Sequence, residues 1–168
     1  EYVYFHYRYL PHGHYWDLIL NLIKTQLTQP VIRMININDE ISDLDLVVSW
    51  KHISSWHFTQ QNDCLRIAII FHYGGIYVDL DTVCLQSVLP FRHYSLVLSL
   101  QGSESRQQIS STVIMSEKGH PFINIWKNAL KDYTIFPTWN WYSSSLPYKL
   151  WKSYKGHDLT LLWDSPRT

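Results

Sequence analysis

Two aspartates one residue apart, Asp79 and Asp81, stand near the end of the stretch "GGIYVDLDTV" at residues 74–83. In an extended chain, residues two apart share a face. Their carboxylates would project together with Tyr77, while Ile76, Val78 and Leu80 turn the other way into apolar surroundings. Adjacent carboxylates raise each other's pKa and destabilise the fold unless a positive charge lies between or beyond them. A hard divalent cation meets that need: carboxylates suit Mg2+ or Mn2+, which complete their coordination with water and with phosphate oxygens of a bound nucleotide. The competing reading is a strand end whose aspartates face water, and a bare Asp-x-Asp does not decide between the two.

The setting of the motif does more. "TQQNDCLRIAIIFHY" reads as a helix of three to four turns with Leu65, Ala68, Ile69 and His72 on one stripe, and it stops at Gly74-Gly75. Paired glycines let the backbone turn sharply and leave room for a ligand to come close. On the helix, Asp63 and Arg66 are i, i+3 neighbours. They form either a surface ion pair or a pair that holds ligand hydroxyls or phosphates. A second Asp-Leu-Asp, at Asp43 and Asp45 in "ISDLDLVV", follows a polar loop without a glycine turn or a helix to deliver it, and reads as surface or as cap-like loop residues.

The elements that must carry these residues alternate. "YVYFHY" from Tyr2 and "PVIRMINI" from Pro30 read as strands around a helix "YWDLILNLIKTQL", a β-α-β beginning. "IYVDLDTVCL", "YSLVLSL" and "STVIMS" are further strands, and "HPFINIWKNALKDY" is a helix with proline near its start. A short helix, "PYKLWKSY", follows an irregular stretch. The alternation predicts an α/β domain.

Composition narrows the function classes. The 168 residues are 46% hydrophobic and 15% aromatic, which fits one folded domain spanning residues 1–168 and excludes a disordered chain. Lys plus Arg equal Asp plus Glu at 14 each, with no basic cluster, so nucleic acid is not an expected partner. Runs such as "IAII" fall far short of the roughly 20 residues of a membrane span. Any membrane association is therefore expected through a segment outside this chain. Cys64 and Cys84 lack metal-ligand spacing and read as buried free thiols, and the nine histidines are scattered.

Taken together, "NDCLRIAIIFHYGGIYVDLDTVCLQSV" resembles the DXD region of glycosyltransferase family 32, close to S-D-x-x-R-x-x-x-L-x-x-x-G-G-x-Y-x-D-x-D. Asp63, Arg66, Tyr73, Gly74, Gly75, Tyr77, Asp79 and Asp81 match, with Asn62 standing where the family usually has Ser. Weaker similarity runs through "SSTVIMSEKGHPFINIWKNAL" and "WNWYSSSLPYKL", so that the resemblance covers residues 50 to 155. It implies a GT-A-like nucleotide-diphospho-sugar transferase fold, here an excerpt lacking the first strand and the C-terminal end. It also implies transfer of a sugar, with retention, from a UDP- or GDP-sugar to a glycan or glycolipid acceptor, on the lumenal side of the Golgi membrane. By the same resemblance Asp81 binds Mn2+ (or Mg2+) directly, Asp79 meets it through water or the donor ribose, Asp63 and Arg66 hold donor-sugar hydroxyls, and Tyr77 supports the site. No protein nucleophile is implied.

Two other readings compete. "IYVDLDTV" is also similar to the first motif of haloacid-dehalogenase phosphatases, which would make Asp79 a nucleophile. That reading leaves Asp63, Arg66 and the two glycines unexplained, and the later carboxylates are all isolated. A catalytically inactive sugar-binding domain would use Trp139 and Trp141 as stacking platforms; the intact Asp79 and Asp81 argue against it.

Overall fold

The computed structural model describes residues 2–7, 11–25, 31–40, 42, 44–103, 105–132 and 140–163. Asp43 and Trp139 lie outside these described residues. The chain forms two compact units, Glu1–Leu44 and Asp45–Thr168.

The first unit is the expected β-α-β. Strands β1 (Tyr2–Tyr7) and β2 (Val31–Asn36) pair in parallel, from Tyr2 opposite Val31 to Tyr7 opposite Asn36, and helix α1 (His14–Thr25) makes the crossover. Parallel neighbours require such a crossover, since a tight turn cannot join them. Asp17 in the first turn of α1 and Lys24 in its last complement the helix dipole. A one-turn helix, α2 (Ile37–Glu40), follows.

The second unit opens with another one-turn helix, α3 (Trp50–Ile53), and then α4 (Phe58–Tyr73). A reciprocal cap starts α4: the His57 ring accepts from the Thr59 amide, and the Gln60 side chain accepts from the His57 amide. Its inward face differs from the predicted stripe. Gln61, Asp63, Cys64, Ile67, Ala68 and Ile70 are buried, while Leu65, Ile69 and His72 are only half-buried. "LRIAIIF" is apolar around most of the helix, so spacing alone does not select a face. Gln61 can go inward because its amide donates to the Ser54 and Trp56 carbonyls, at 3.2 and 2.7 Å.

Four strands form the sheet of this unit in the order β3-β5-β4-β6: β3 (Gly75–Val78), β4 (Leu96–Gln101), β5 (Gln108–Ser116) and β6 (Leu159–Trp163). β5 is antiparallel to both neighbours, and β4 runs parallel to β6. Helices α5 (Pro121–Ala129) and α6 (Leu146–Ser153) complete it, α6 entered through a π-helical turn at Trp141–Ser145. The core joins Ile67 and Ile70 of α4, Leu96 and Leu98 of β4, Ile114 of β5, and Phe122, Ile123 and Trp126 of α5, each nearly or fully removed from water. β4 sits centrally, and accordingly its first three residues are all buried instead of alternating.

β3 is shorter than expected. The chain leaves the strand at Asp79 and turns, with the Thr82 amide donating to the Asp79 carbonyl at 3.0 Å. Ile76, Val78 and Leu80 are 48%, 45% and 89% exposed, while Tyr77 packs against the core. The inward face of this edge strand is thus the Tyr77 face, the reverse of the expected one. No helix of the described residues is long and apolar enough to cross a membrane.

Asp45 is exposed and outside any helix or strand, as expected of a loop residue, and it also serves as an anchor. Its carboxylate accepts from the ammonium of Lys127, which α5 buries at 3% side-chain exposure over the Phe71 ring. That hydrogen bond, with the charge of Lys127, pulls the Asp45 carboxyl below its ordinary value. Asp45→Ala should destabilise the chain to urea by about 1–3 kcal/mol, the cost of a buried charge losing its partner, moderated because the carboxylate itself faces water. Because the folded pKa is depressed, the contribution is complete above the unfolded value of 3.8 and is lost as pH falls below it. The urea midpoint of the wild type should therefore drop over that acidic window, and that of Asp45→Ala should drop less.

Gly74 closes α4 with φ 68°, and a Cβ there would lie 2.6 Å from the Lys118 amide nitrogen. Gly74→Ala combines a left-handed backbone with a clash against main chain, and urea unfolding should record a loss of about 1–3 kcal/mol.

Candidate active site

The helix, the double glycine and the strand bring four of the expected residues together. Asp63 and Arg66 lie one turn apart on α4, with Asp63 buried and the Arg66 side chain 12% exposed. Arg66 reaches across to the end of β3. Its Nη1 lies 3.1 Å from Asp79 Oδ1 and 3.3 Å from Oδ2. The guanidinium carbon sits 5.1 Å from the centre of the Tyr77 ring, a cation–π contact that closes over the ion pair. Asp63 is further off, its Oδ1 at 3.7 Å from Arg66 Nη2.

Tyr77 and Asp79 share a face, as strand alternation requires, and the Tyr77 hydroxyl donates to Asp79 Oδ1 at 2.6 Å. Burial pushes the Tyr77 hydroxyl far above the ordinary phenol range, and the bond to Asp79 adds to the rise against the pull of Arg66. Tyr77 therefore remains a donor at any physiological pH. Both oxygens of Asp79 are thus engaged by protein. A carboxylate braced in this way suits orientation better than nucleophilic attack, which needs a free oxygen lone pair aimed at the reacting atom.

Asp81 stands apart. Because the chain turns after Asp79, it does not share a strand face with that residue. It is exposed, and its carboxylate takes no hydrogen bond or ion pair among the described residues. Among those residues no three His, Cys, Asp or Glu side chains gather to make a protein cage for a metal ion. One unengaged carboxylate beside a second held in place fits instead the manner in which Mg2+ or Mn2+ is bound through one or two carboxylates, the other positions going to water and substrate phosphates.

The two glycines differ in their tasks. Gly74 is required by the backbone at Glu117–Lys118, so the close approach there is made by protein and not by ligand. Gly75, at φ 96°, has nothing within 4 Å of where a Cβ would stand, which leaves open space beside the strand entry. Of the two cysteines, Cys64 is buried and Cys84 exposed, both free. Burial chiefly, and the neighbouring Asp63, push the Cys64 thiol up to about 12, so it is inert. Trp141 is half-buried, with the Lys149 ammonium 4.4 Å from its ring centre.

One residue of the cluster had no signal in the sequence. Ser111 of β5, buried, accepts from Arg66 Nη1 through its main-chain oxygen at 3.0 Å and its hydroxyl at 3.2 Å. It stands 45 residues from Arg66, and a serine in "ISSTVIMS" carries no local mark of that pairing.

Comparison with known proteins bears on this geometry. Residues 14–99 match the family described as "Glycosyltransferase sugar-binding region containing DXD motif". The chain is 28% identical over 166 residues to "Glucan organizing enzyme 1" of Cryptococcus neoformans, covering 92% of this chain and 39% of that protein. It is 38% identical over 64 residues to "Inositol phosphoceramide mannosyltransferase 3" of Schizosaccharomyces pombe, 38% of this chain and 17% of that one. With "Mannosyl phosphorylinositol ceramide synthase CSH1" of Saccharomyces cerevisiae it shares 31% over 109 residues, 57% of this chain and 26% of the relative. The chain thus spans well under half the length of these relatives. No solved structure matches. Since the family match takes in more than half of the chain, including α4, both glycines and the Asp79–Asp81 pair, the chain belongs to the glycosyltransferase family defined by a DXD-containing sugar-binding region.

Proposed function

We propose that residues 1–168 belong to a GT-A-like catalytic domain that moves a sugar from a UDP- or GDP-sugar to a glycan or glycolipid acceptor, with retention and with Mn2+ or Mg2+. The observation that carries this reading is the contrast between the two aspartates: Asp79 is braced by Arg66 and Tyr77, and Asp81 is unengaged and exposed.

In this proposal Asp81 ligates the metal directly, and Asp79 meets it through water or hydrogen-bonds the donor ribose. Bound there, the ion supplies Lewis-acid neutralisation of the charge that builds on the departing nucleoside diphosphate. The protein's own part is orientation. Tyr77 and Arg66 hold Asp79 at a fixed angle, so that no reorganisation of that carboxylate is needed when the donor arrives. Asp63 and the part of Arg66 not spent on Asp79 orient the donor sugar, which keeps its anomeric carbon aligned for transfer. Gly75 leaves room for the donor to approach the backbone. No side chain is assigned as nucleophile.

Relatives named for inositol phosphoceramide support a glycolipid acceptor. The Golgi lumenal setting, with the membrane anchor in sequence outside this chain, rests on the family resemblance alone. The phosphatase reading has no comparable support, since Asp79 has both oxygens committed.

The test is binding of fluorescent UDP and GDP analogues with and without Mn2+. Wild type should bind one of them in a Mn2+-dependent way, and Asp81→Ala should lose that dependence with at least a tenfold weaker Kd at saturating Mn2+. Unchanged Mn2+-dependent binding in Asp81→Ala would remove Asp81 from the site.

A further inference from the structure

We infer that Ser111 is a positioning residue for the transfer site: its hydroxyl and main-chain oxygen hold the Arg66 guanidinium, which holds the Asp79 carboxylate. This rests on the reading of Asp79 and Asp81 as the metal and donor site.

The sheet is built to make this contact. Along β4, Leu98 pairs with Ile114, but the next residue, Ser99, pairs with Ser110. One step on β4 therefore passes four residues of β5, and residues 111–113 bulge away from the β4 ladder. Those same residues serve the edge strand and the site. Val113 pairs with Val78, the Thr112 carbonyl accepts from the Asp79 amide at 2.9 Å, and Ser111 takes Arg66. Bulges of this kind re-aim side chains and backbone oxygens that a regular ladder would consume. A second hydroxyl pair, Ser110 to Thr112 at 2.7 Å, braces the bulge from within the strand.

Ser111 also decides which carboxylate Arg66 serves. Nη1 has two N–H groups and four acceptor atoms within 3.0–3.3 Å: both oxygens of Asp79 and both of Ser111. Asp63 lies on the other side, at 3.7 Å from Nη2. Removing the serine oxygen takes away one of the fixed points on the Asp79 side and lets the guanidinium rotate toward Asp63. The Asp79 carboxylate then keeps Tyr77 but loses its second anchor, and its angle to the turn that carries Asp81 is no longer fixed. The buried Nε of Arg66 has no partner among the described residues, so nothing there compensates for the loss.

The experiment uses Mn2+ as probe, in two readouts. One is paramagnetic broadening of the Asp81 amide resonance, without nucleotide. The other is Mn2+-dependent binding of the fluorescent UDP and GDP analogues. Ser111→Ala should raise the Mn2+ concentration for half-effect about three- to tenfold, less than the full worth of one hydrogen bond to a charged group because the Ser111 main-chain oxygen stays on Arg66. Ser111→Thr should restore it, and Ser111→Cys, which keeps the volume but accepts weakly, should behave as Ser111→Ala should the alanine variant fold poorly. In an Arg66→Ala background Ser111→Ala should add nothing further. A serine that only stabilises the sheet would lower the melting temperature and leave both Mn2+ titrations at wild-type values. That result, or a full additional loss on top of Arg66→Ala, would overturn the inference while Asp81→Ala still abolishes the Mn2+ response. If the wild type shows no Mn2+ response, or Asp81→Ala retains it, the metal-site reading fails and the inference fails with it.

Discussion

A guanidinium holding a carboxylate is the contact on which the site depends. Arg66 comes from the buried side of a four-turn helix and Asp79 from the end of an edge strand, so the ion pair ties together the two elements the double glycine separates. Partial burial raises the strength of that pair and also the cost of leaving either charge alone. The surroundings meet that cost with the Tyr77 hydroxyl, the Tyr77 ring face and the oxygens of Ser111. The result is one aspartate whose orientation is set by the fold, next to a second that is unengaged. That asymmetry, more than the spacing of the two residues, is what the proposal of a shared metal and donor site rests on.

The fold serves this arrangement at some expense of regularity. β3 has only four residues and lies at the sheet edge, and its partner β5 departs from the β4 ladder over residues 111–113. A longer, regular β3 would carry Asp81 on the same face as Asp79. By ending the strand at Val78 and turning through Asp79–Thr82, the chain sends Asp81 to solvent. Away from the site, the Lys127–Asp45 pair shows the other use of a buried charge: it joins α5 to the segment ahead of α3, far from the DXD turn in sequence.

Much of this was legible in the sequence where the physics is local. Periodicity located α1, β1 and β2, and glycine at positions 74 and 75 marked the end of α4, because only a residue without Cβ takes φ 68° against the Lys118 backbone. The family pattern named Asp63, Arg66, Tyr77 and Asp79, which the structure gathers at the junction of α4 and β3. What failed depended on distant partners or on weak local signals. The turn at 79–82 carries neither glycine nor proline, so alternation alone continues the strand through Asp81. The buried face of α4 differs from the predicted stripe because the helix is apolar around most of its girth. The place of Asp45 as an exposed loop residue was legible, but its pairing with Lys127 was not, since that partner is 82 residues away. Ser111 was invisible for the same reason, its position being set by a register slip between two strands.

The most direct test of the central claim is the anomalous diffraction signal of Mn2+ in crystals grown with the nucleoside diphosphate that binds. The account predicts a single peak ligated by the Asp81 carboxylate and diphosphate oxygens, with Asp79 still held by Arg66 and Tyr77 and reaching the ion through water or the ribose. A peak ligated directly by Asp79, with its contact to Arg66 broken, or a nucleotide bound with no manganese near Asp81, would contradict it.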